Sequence, residues 1–347
     1  MQAIAKKSPY VRKDTSTKRM MVDVLIALLP VMAFALFQYK FDFALRAVVA
    51  SVVAVLLEAL AFGLMKDETE TWKERFKYKY TVNNIVPPII TALIFVLTLP
   101  STISLVVVVV GISFAILIGK MIFGGLGRNI FNPAGLGRVF VALSFASFFS
   151  YEGIDAIAGA TALGSSFPDV LNYYSITDLL FGLVPGSMGE INKLAIIIGA
   201  IYLIARRSAD YRVIVTSLLT FSLFMLVAGI GIGLDFNSVI KYVLFHILSG
   251  GFLFGIVFMA TDPVTSPYTG PGRLIFSLII GALVAIIRLF GSLPEGMVFA
   301  LLVANTFVAL IDYKKWTNSL YTKKFIIGYA SVILVIALIV FAGVGGF

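Results

Sequence analysis

Apolar runs close to the length of a membrane-crossing helix recur along this chain and leave too little sequence over for a water-soluble core. They lie at about 21–39, 43–65, 85–99, 103–123, 137–151, 194–205, 213–233, 240–260, 274–290, 296–313 and 325–343. Hydrocarbon takes roughly 20 apolar residues per helix to cross, so about eleven such segments consume most of the 347 residues. With 60% hydrophobic residues, a soluble fold would turn apolar surface to water. The chain reads as an all-α polytopic membrane protein. The segments starting at 85, 137 and 194 are shorter than a full span, which predicts broken or tilted helices there.

Charge sets the orientation. All but five of the 27 Lys and Arg residues fall in the segments on one side, or at the span ends there, when the spans alternate, the exceptions being Lys40, Arg46, Lys193, Lys241 and Arg288. Positive residues stay on the cytoplasmic side, so the N-terminus reads as inside and, after eleven spans, the C-terminus as outside. The net charge of +9 is thus topology and not a nucleic-acid surface. The basic stretch before Met20 runs straight into a full span, a pattern without a cleavable signal peptide. No cysteine is present, so the chain supplies no thiolate to an iron–sulfur cluster. A lone histidine, His246, reads as satisfied within the bundle and makes a haem or zinc site improbable.

Two polar interruptions repeat at nearly constant offset. Leu97-Thr98-Leu99-Pro100-Ser101 ends the third span and Ala260-Thr261-Asp262-Pro263-Val264 ends the eighth. Phe131-Asn132-Pro133-Ala134-Gly135 precedes the fifth and Ser292-Leu293-Pro294-Glu295-Gly296 precedes the tenth. An odd number of spans per repeat inverts the second copy, giving two inverted five-helix repeats plus one extra C-terminal helix. The divisions are a cytoplasmic segment 1–20, a first repeat 21–151, an outer loop 152–193, a second repeat 194–313, and a basic inner loop with the extra helix, 314–347. Proline ends a helix and frees backbone groups that lipid cannot satisfy. The breaks at Asn132 and Asp262 would therefore line an inner vestibule, and those at Pro100 and Pro294 an outer one.

Other polar residues carry two readings each. Glu58, deep in the second span, reads as a buried partner or an ion-passage residue, and Arg288 as snorkelling to the interface. Asp262 reads as a helix cap or a contact to a flavin or an ion. The cluster Gly124, Gly125, Gly127 lacks the Lys-Ser/Thr of a phosphate loop and reads as tight helix packing.

The outer loop holds Asp155-Ala156-Ile157-Ala158-Gly159-Ala160-Thr161-Ala162. On composition alone it is an ordinary small-residue turn; chemically, Gly159 and Ala160 clear the approach to a Thr161 hydroxyl able to carry a phosphoester. The run resembles the Asp-x-x-Ser/Thr-Gly-Ala-Thr sequence at which a flavin transferase links FMN to threonine through its phosphate. Ala158 stands where Ser or Thr is usual, and Ala162 where Pro is frequent. From about Ser8 to Asp312 the chain resembles the D subunit of the Rnf ion-translocating ferredoxin:NAD oxidoreductase and, more distantly, the B subunit of the sodium-translocating NADH:quinone reductase. The resemblance rests on Ser8-Pro9-Tyr10-Val11-Arg12, on Gly124 to Ala134 with Gly127-Arg128-Asn129-Ile130-Phe131-Asn132-Pro133, on Ala260 to Val264, and on Pro294-Glu295-Gly296 with Leu310-Ile311-Asp312-Tyr313.

The resemblance implies covalent FMN at Thr161, with Asp155, Gly159 and Ala160 around it, on the outer face of a bacterial or archaeal cytoplasmic membrane. It also implies a non-covalent flavin, riboflavin or FMN, near Asn129, Asn132 and Asp262. The expected role is an electron relay in a Na+- or H+-translocating oxidoreductase, not independently catalytic, working beside a second covalent-flavin subunit and iron–sulfur subunits. The residues alone leave two other readings open, a secondary transporter or channel on inverted repeats and a structural scaffold.

Overall fold

The computed structural model describes residues 16–65, 71–146, 175–291, 296–313 and 320–345, and among them every regular element is helical. The first helix, α1 (Thr17–Leu64), is 48 residues long. At 1.5 Å per residue it measures about 72 Å, more than twice a hydrocarbon core of roughly 30 Å. It breaks at Lys40, whose φ of 47° and ψ of −120° lie outside helical space. That break falls between the first two apolar segments of the sequence.

The remaining helices are α2 (Trp72–Lys79), α3 (Val82–Leu97), α4 (Leu105–Leu117), α5 (Pro133–Ser144), α6 (Ile176–Phe181), α7 (Lys193–Ala205), α8 (Tyr211–Gly231), α9 (Phe236–Leu248), α10 (Phe252–Phe254), α11 (Gly270–Phe290), α12 (Met297–Ile311) and α13 (Lys323–Gly345). A single 3-10 turn, Met121–Phe123, follows α4, and α10 continues directly into a π-helical turn, Gly255–Met259. Among the described residues five helices are long and apolar enough to cross a membrane, or six if α9 and the α10 segment, bent by 59°, form one span. The segments expected to be short are short: α3 has 16 residues, α5 has 12 and α7 has 13.

Helix starts follow local chemistry. Ser104, Asn132, Asn192, Asp210, Asp235 and Thr269 each accept a hydrogen bond from a backbone N–H in the first turn that no helical carbonyl reaches. Proline stands at Pro133 and Pro271, first-turn positions where its missing donor costs nothing.

Packing runs through α1 against α3, α4 and α7, α4 against α5, α8 against α9, α11 and α13, and α11 against α12, with α5 touching α12. Small residues set the close approaches, as expected where lipid removes a hydrophobic drive between helices. A methyl at Gly199 of α7 would lie 2.6 Å from the Ala27 carbonyl of α1, and one at Gly137 of α5 would lie 2.8 Å from the Ala115 methyl of α4.

Cationic side chains hold the unwound stretches. Arg46 donates to the Ile103 carbonyl at 2.9 Å and Arg138 to the Thr98 carbonyl at 2.8 Å, across the connection from α3 to α4. Arg288 donates to the carbonyls of His246 and Ser249, and Lys193 to those of Glu190 and Gly250, at the break between α9 and α10. The expectation that Arg288 snorkels to the interface is thus corrected. Its guanidinium lies over the Phe221 ring, 5.2 Å from the centroid, while it reaches the carbonyls at the end of α9, where the helix carries partial negative charge. His246 is corrected too: it packs edge-on against Tyr242 and Phe245, and its buried Nδ1 has no hydrogen-bond partner among the described residues.

Inside the spans the Glu58 carboxylate of α1 pairs with the Lys120 ammonium after α4 at 2.6 Å, each side chain 3% exposed. The buried-partner reading of Glu58 has its partner in Lys120. The three glycines Gly124, Gly125 and Gly127 do not serve helix packing; they carry φ of 104°, 89° and 83° and shape the loop into α5, a conformation L side chains resist.

Two outcomes follow. Lys120→Met leaves a buried carboxylate without its counter-charge, a loss of about 3–5 kcal/mol, so detergent-solubilised protein should unfold at clearly lower temperature, and adding Glu58→Gln should recover much of the loss. An unchanged unfolding temperature in Lys120→Met would mean the pair is not closed in the folded protein. Gly199→Val should push α7 from α1 and lower stability by about 1–3 kcal/mol, with Ala200→Val on the same helix as the comparison.

Candidate functional site

One cavity of about 390 Å3 opens among α1, α3, α5, α7 and the α10 segment. Its walls are apolar: Ile90 and Ile94 of α3, Val257 and Phe258 of the π-helical turn, and Leu126 of the glycine loop. Its polar edge gathers Lys120, Asn129, Asn132, Thr261 and Asp262. Three residues singled out in the sequence, Asn129, Asn132 and Asp262, therefore meet in one place although they come from distant stretches of the chain.

Local structure explains each position. The Asn132 side-chain oxygen accepts from the Gly135 N–H at 3.1 Å and caps α5, while its amide nitrogen reaches the Met259 carbonyl at 3.4 Å. Its backbone N–H donates to Oδ1 of Asn305 at 3.1 Å. Asn305, buried in α12, also donates to the Thr265 carbonyl at 2.9 Å, so one amide clamps the start of α5 to the connection after α10. Asn129 gives one amide hydrogen to the Phe131 carbonyl at 3.0 Å. Its second amide hydrogen and its carbonyl oxygen have no partner among the described residues, which leaves a donor and an acceptor beside the cavity.

Asp262 serves the capping reading and lines the cavity. It accepts from the Val264 N–H and the Thr265 hydroxyl, each at 3.1 Å, and so caps its own turn while facing the cavity. Burial pushes its carboxyl up, against the pull of those hydrogen bonds and of the Lys120 charge. Thr261 donates its hydroxyl back to the Val257 carbonyl at 2.6 Å, as Thr98 does to Phe95 at 2.7 Å at the end of α3.

The rim is braced by two carboxylates. Asp23 of α1 accepts from Ser208 at 2.5 Å and from Tyr202 and Arg206 at 3.2 Å each, binding α1 to α7. Asp210 caps α8 between Arg212, at 2.8 Å, and Arg273 of α11. Burial would raise the Asp210 carboxyl, but hydrogen bonds from Arg212 and the charges of both arginines outweigh it and hold it below the ordinary carboxylate range.

Thr161, Asp155, Gly159 and Ala160 lie outside the described residues, as do Ser8 to Arg12 and Pro294-Glu295. The end of the outer loop is described and is not a solvated strand. Met188 and Gly189 donate backbone N–H groups to the carbonyls of Leu99 and Leu97, and Ser187, Met188, Glu190 and Lys193 are buried. The sequence reading misses Lys120, Asn305 and Asp23; a polar residue inside or at the end of an apolar run is the available signal. No group of three or more His, Cys, Asp or Glu able to hold a metal occurs among the described residues.

The cavity offers apolar walls for a planar ring and a small set of amide, hydroxyl, carboxylate and ammonium groups at one edge, the composition of a small-molecule site. Comparison with known proteins agrees with a shared architecture. A family model described as the NQR2, RnfD, RnfE family matches residues 4–319. The chain is 32% identical to the B subunit of the Na(+)-translocating NADH-quinone reductase of Ectopseudomonas mendocina, over 90% of this chain and 87% of that protein. It is 32% identical to the D subunit of the proton-translocating ferredoxin:NAD(+) oxidoreductase complex of Clostridium ljungdahlii, over 88% of this chain and 92% of that one. With the corresponding reductase B subunit of Chromohalobacter salexigens identity reaches 38%, over 65% of this chain and 57% of that protein, so the chain spans little more than half of that relative. With a match across both halves of the helical bundle, the chain belongs to the NQR2, RnfD, RnfE family.

Proposed function

We propose that this protein is the flavin-carrying electron-relay subunit of a membrane-bound oxidoreductase that couples redox chemistry to Na+ or H+ movement. Membership in the family, and similarity over most of the chain to a protein named as the D subunit of a ferredoxin:NAD(+) oxidoreductase complex, support the redox complex. The observation that carries the cofactor reading is the convergence of Asn129, Asn132 and Asp262 on one cavity.

The residues fit a flavin. A volume of about 390 Å3 lies within the roughly 300–1,000 Å3 of small-molecule sites. Apolar walls suit the faces of a tricyclic ring, and amide donors and acceptors suit its edge. A flavin, when bound, accepts or passes on one or two electrons. Asn129 would hold the ring edge with the amide groups that the fold leaves over. Lys120 would place a positive charge where added electrons collect, and Thr261 and Asp262 would complete the same polar edge. Thr161 would hold a second flavin, FMN, through a phosphoester on the outer face, attached by a flavin transferase. Partners would be the other subunits of the complex, with the iron–sulfur centres that this cysteine-free chain cannot build.

The proposed membrane arrangement has eleven spans, counting the two halves of α1, the bent α9–α10 pair and the short helices α3, α5, α7 and α12, with the N-terminus cytoplasmic. Two inverted five-helix repeats are supported by like helices meeting: the first half of α1 meets α7, and α5 meets α12. The interruptions Pro87-Pro88 in α3 and Ser249 to Gly251 between α9 and α10 fall at matching places, and so do Lys120 and Arg288 after or near the ends of α4 and α11. Ion coupling would run through the Glu58–Lys120 pair, because a negative charge added in the cavity competes with Glu58 for the ammonium.

Covalent attachment is read on a denaturing gel: protein made with its flavin transferase should give a fluorescent band under ultraviolet light that is lost in Thr161→Ala. A band surviving that substitution moves the attachment elsewhere, and no band in the wild type favours the transporter reading. For the cavity, Asn129→Leu should lower flavin released by acid at least about tenfold, as loss of two hydrogen bonds to a ring edge predicts, and leave the covalent band intact. Undiminished release would remove Asn129 from the site.

A further inference from the structure

The last helix is poorly covered. Among the described residues of α13, Val340 alone is buried, and the helix packs on α8 near its outer end, where Gly345 approaches Gly231. Toward its start it stands away from α11 and α12, and the wedge between the three helices is a groove of about 720 Å3. Tyr329 bridges the floor by donating to the Leu274 carbonyl at 3.3 Å.

The groove is too apolar for water and too large to be left as vacuum. Its walls are Ile275, Leu278 and Ile279 of α11, Phe307 of α12, and Val332 and Ile336 of α13. A methyl added at Gly328, on the groove surface, would meet no atom within 4 Å. Hydrocarbon must occupy such a space within a bilayer, since an apolar void filled by nothing forfeits its dispersion contacts. From Lys324 to Ile336 the lined length is about 18 Å, close to the roughly 15 Å hydrocarbon depth of one leaflet.

The mouth selects a headgroup. Lys324 lines the groove, Lys323 precedes it, both are exposed, and no carboxylate lines the groove. This mouth lies on the Lys- and Arg-rich face, because Tyr321 beside it accepts from Arg212 at 3.2 Å. Phe325 stacks on Tyr329 and meets Tyr321 at a tilt, an aromatic cluster of the kind found at the membrane–water boundary.

We propose that the wedge between α11, α12 and α13 is a binding site for one glycerophospholipid of the leaflet on the basic face, with an acyl chain in the groove and an anionic headgroup held by Lys323 and Lys324. The lipid completes the contact between α13 and the rest of the bundle. The site is independent of the flavin reading and would stand if that reading fell.

The test uses native mass spectrometry of the full chain, stripped of lipid in detergent and titrated with phosphatidylglycerol or phosphatidylcholine of the same acyl chains. The wild type should retain one phosphatidylglycerol in preference to phosphatidylcholine. Lys323→Gln and Lys324→Gln should each reduce that preference about fivefold. Gly328→Phe fills open space without a clash and should abolish retention of both lipids while the protein stays monodisperse with its unfolding temperature intact. Equal retention of the two lipids, or retention undiminished in Gly328→Phe, overturns the site. Recovery of an isoprenoid quinone from purified protein, lost in Gly328→Phe, overturns the occupant.

Discussion

A broken helix inside a membrane exposes backbone donors and acceptors that neither lipid nor a neighbouring turn can satisfy, and the polar architecture of this protein answers that constraint. The connection from α3 to α4 is held by Arg46 and Arg138, and the interruption between α9 and α10 by Arg288 and Lys193. In both places a long cationic side chain reaches carbonyls at a helix end, where the partial negative charge of the helix favours it. The charges are therefore internal fittings of the bundle. Only once these carbonyls are satisfied can α3 and α10 end where they do and leave room beside them for a cavity.

The cavity follows from the same geometry. The short helices end early, and the space beyond their ends is lined by loop residues: Asn129 and Asn132 from the approach to α5, Thr261 and Asp262 from the exit of α10. Asn305 locks those two loops together through one buried amide. A site built this way holds polar groups in fixed positions without a β-sheet or a metal, and it places them beside a buried charge pair. Glu58 and Lys120 are costly to bury and stabilise each other only when both are present. Lys120 lines the cavity and Glu58 does not, so the pair meets the cavity through its ammonium.

Much of this is legible in the sequence because the bilayer permits few solutions. Apolar runs place nearly every long helix, and the three short runs become short helices for local reasons: Pro87-Pro88 within α3, Asn132-Pro133 opening α5 and Asn192 opening α7. The cavity residues are legible where a helix stop coincides with an amide or a carboxylate. Pairing between distant side chains is not. Arg288 reads as snorkelling because one-dimensional position says nothing of the carbonyls across the bundle, and Lys120, at the end of an apolar run, carries no mark of its partner 62 positions away. Helix α2 escapes because it has no apolar run; its signal lies in the aromatic spacing of Trp72, Phe76 and Tyr80, which pack with one another and with Phe62.

The last helix follows a different logic from the rest. Every other long helix buries a substantial part of its most apolar stretch, whereas α13 is 6% buried over that stretch. It runs along α8, from Tyr321, which accepts from Arg212, to Gly345 against Gly231. On the side of α11 no matching small face allows an equally close approach, since Ile275, Leu278 and Ile279 there are large. The wedge is thus a consequence of which residues are small. It makes α13 the element whose position depends most on what the membrane supplies.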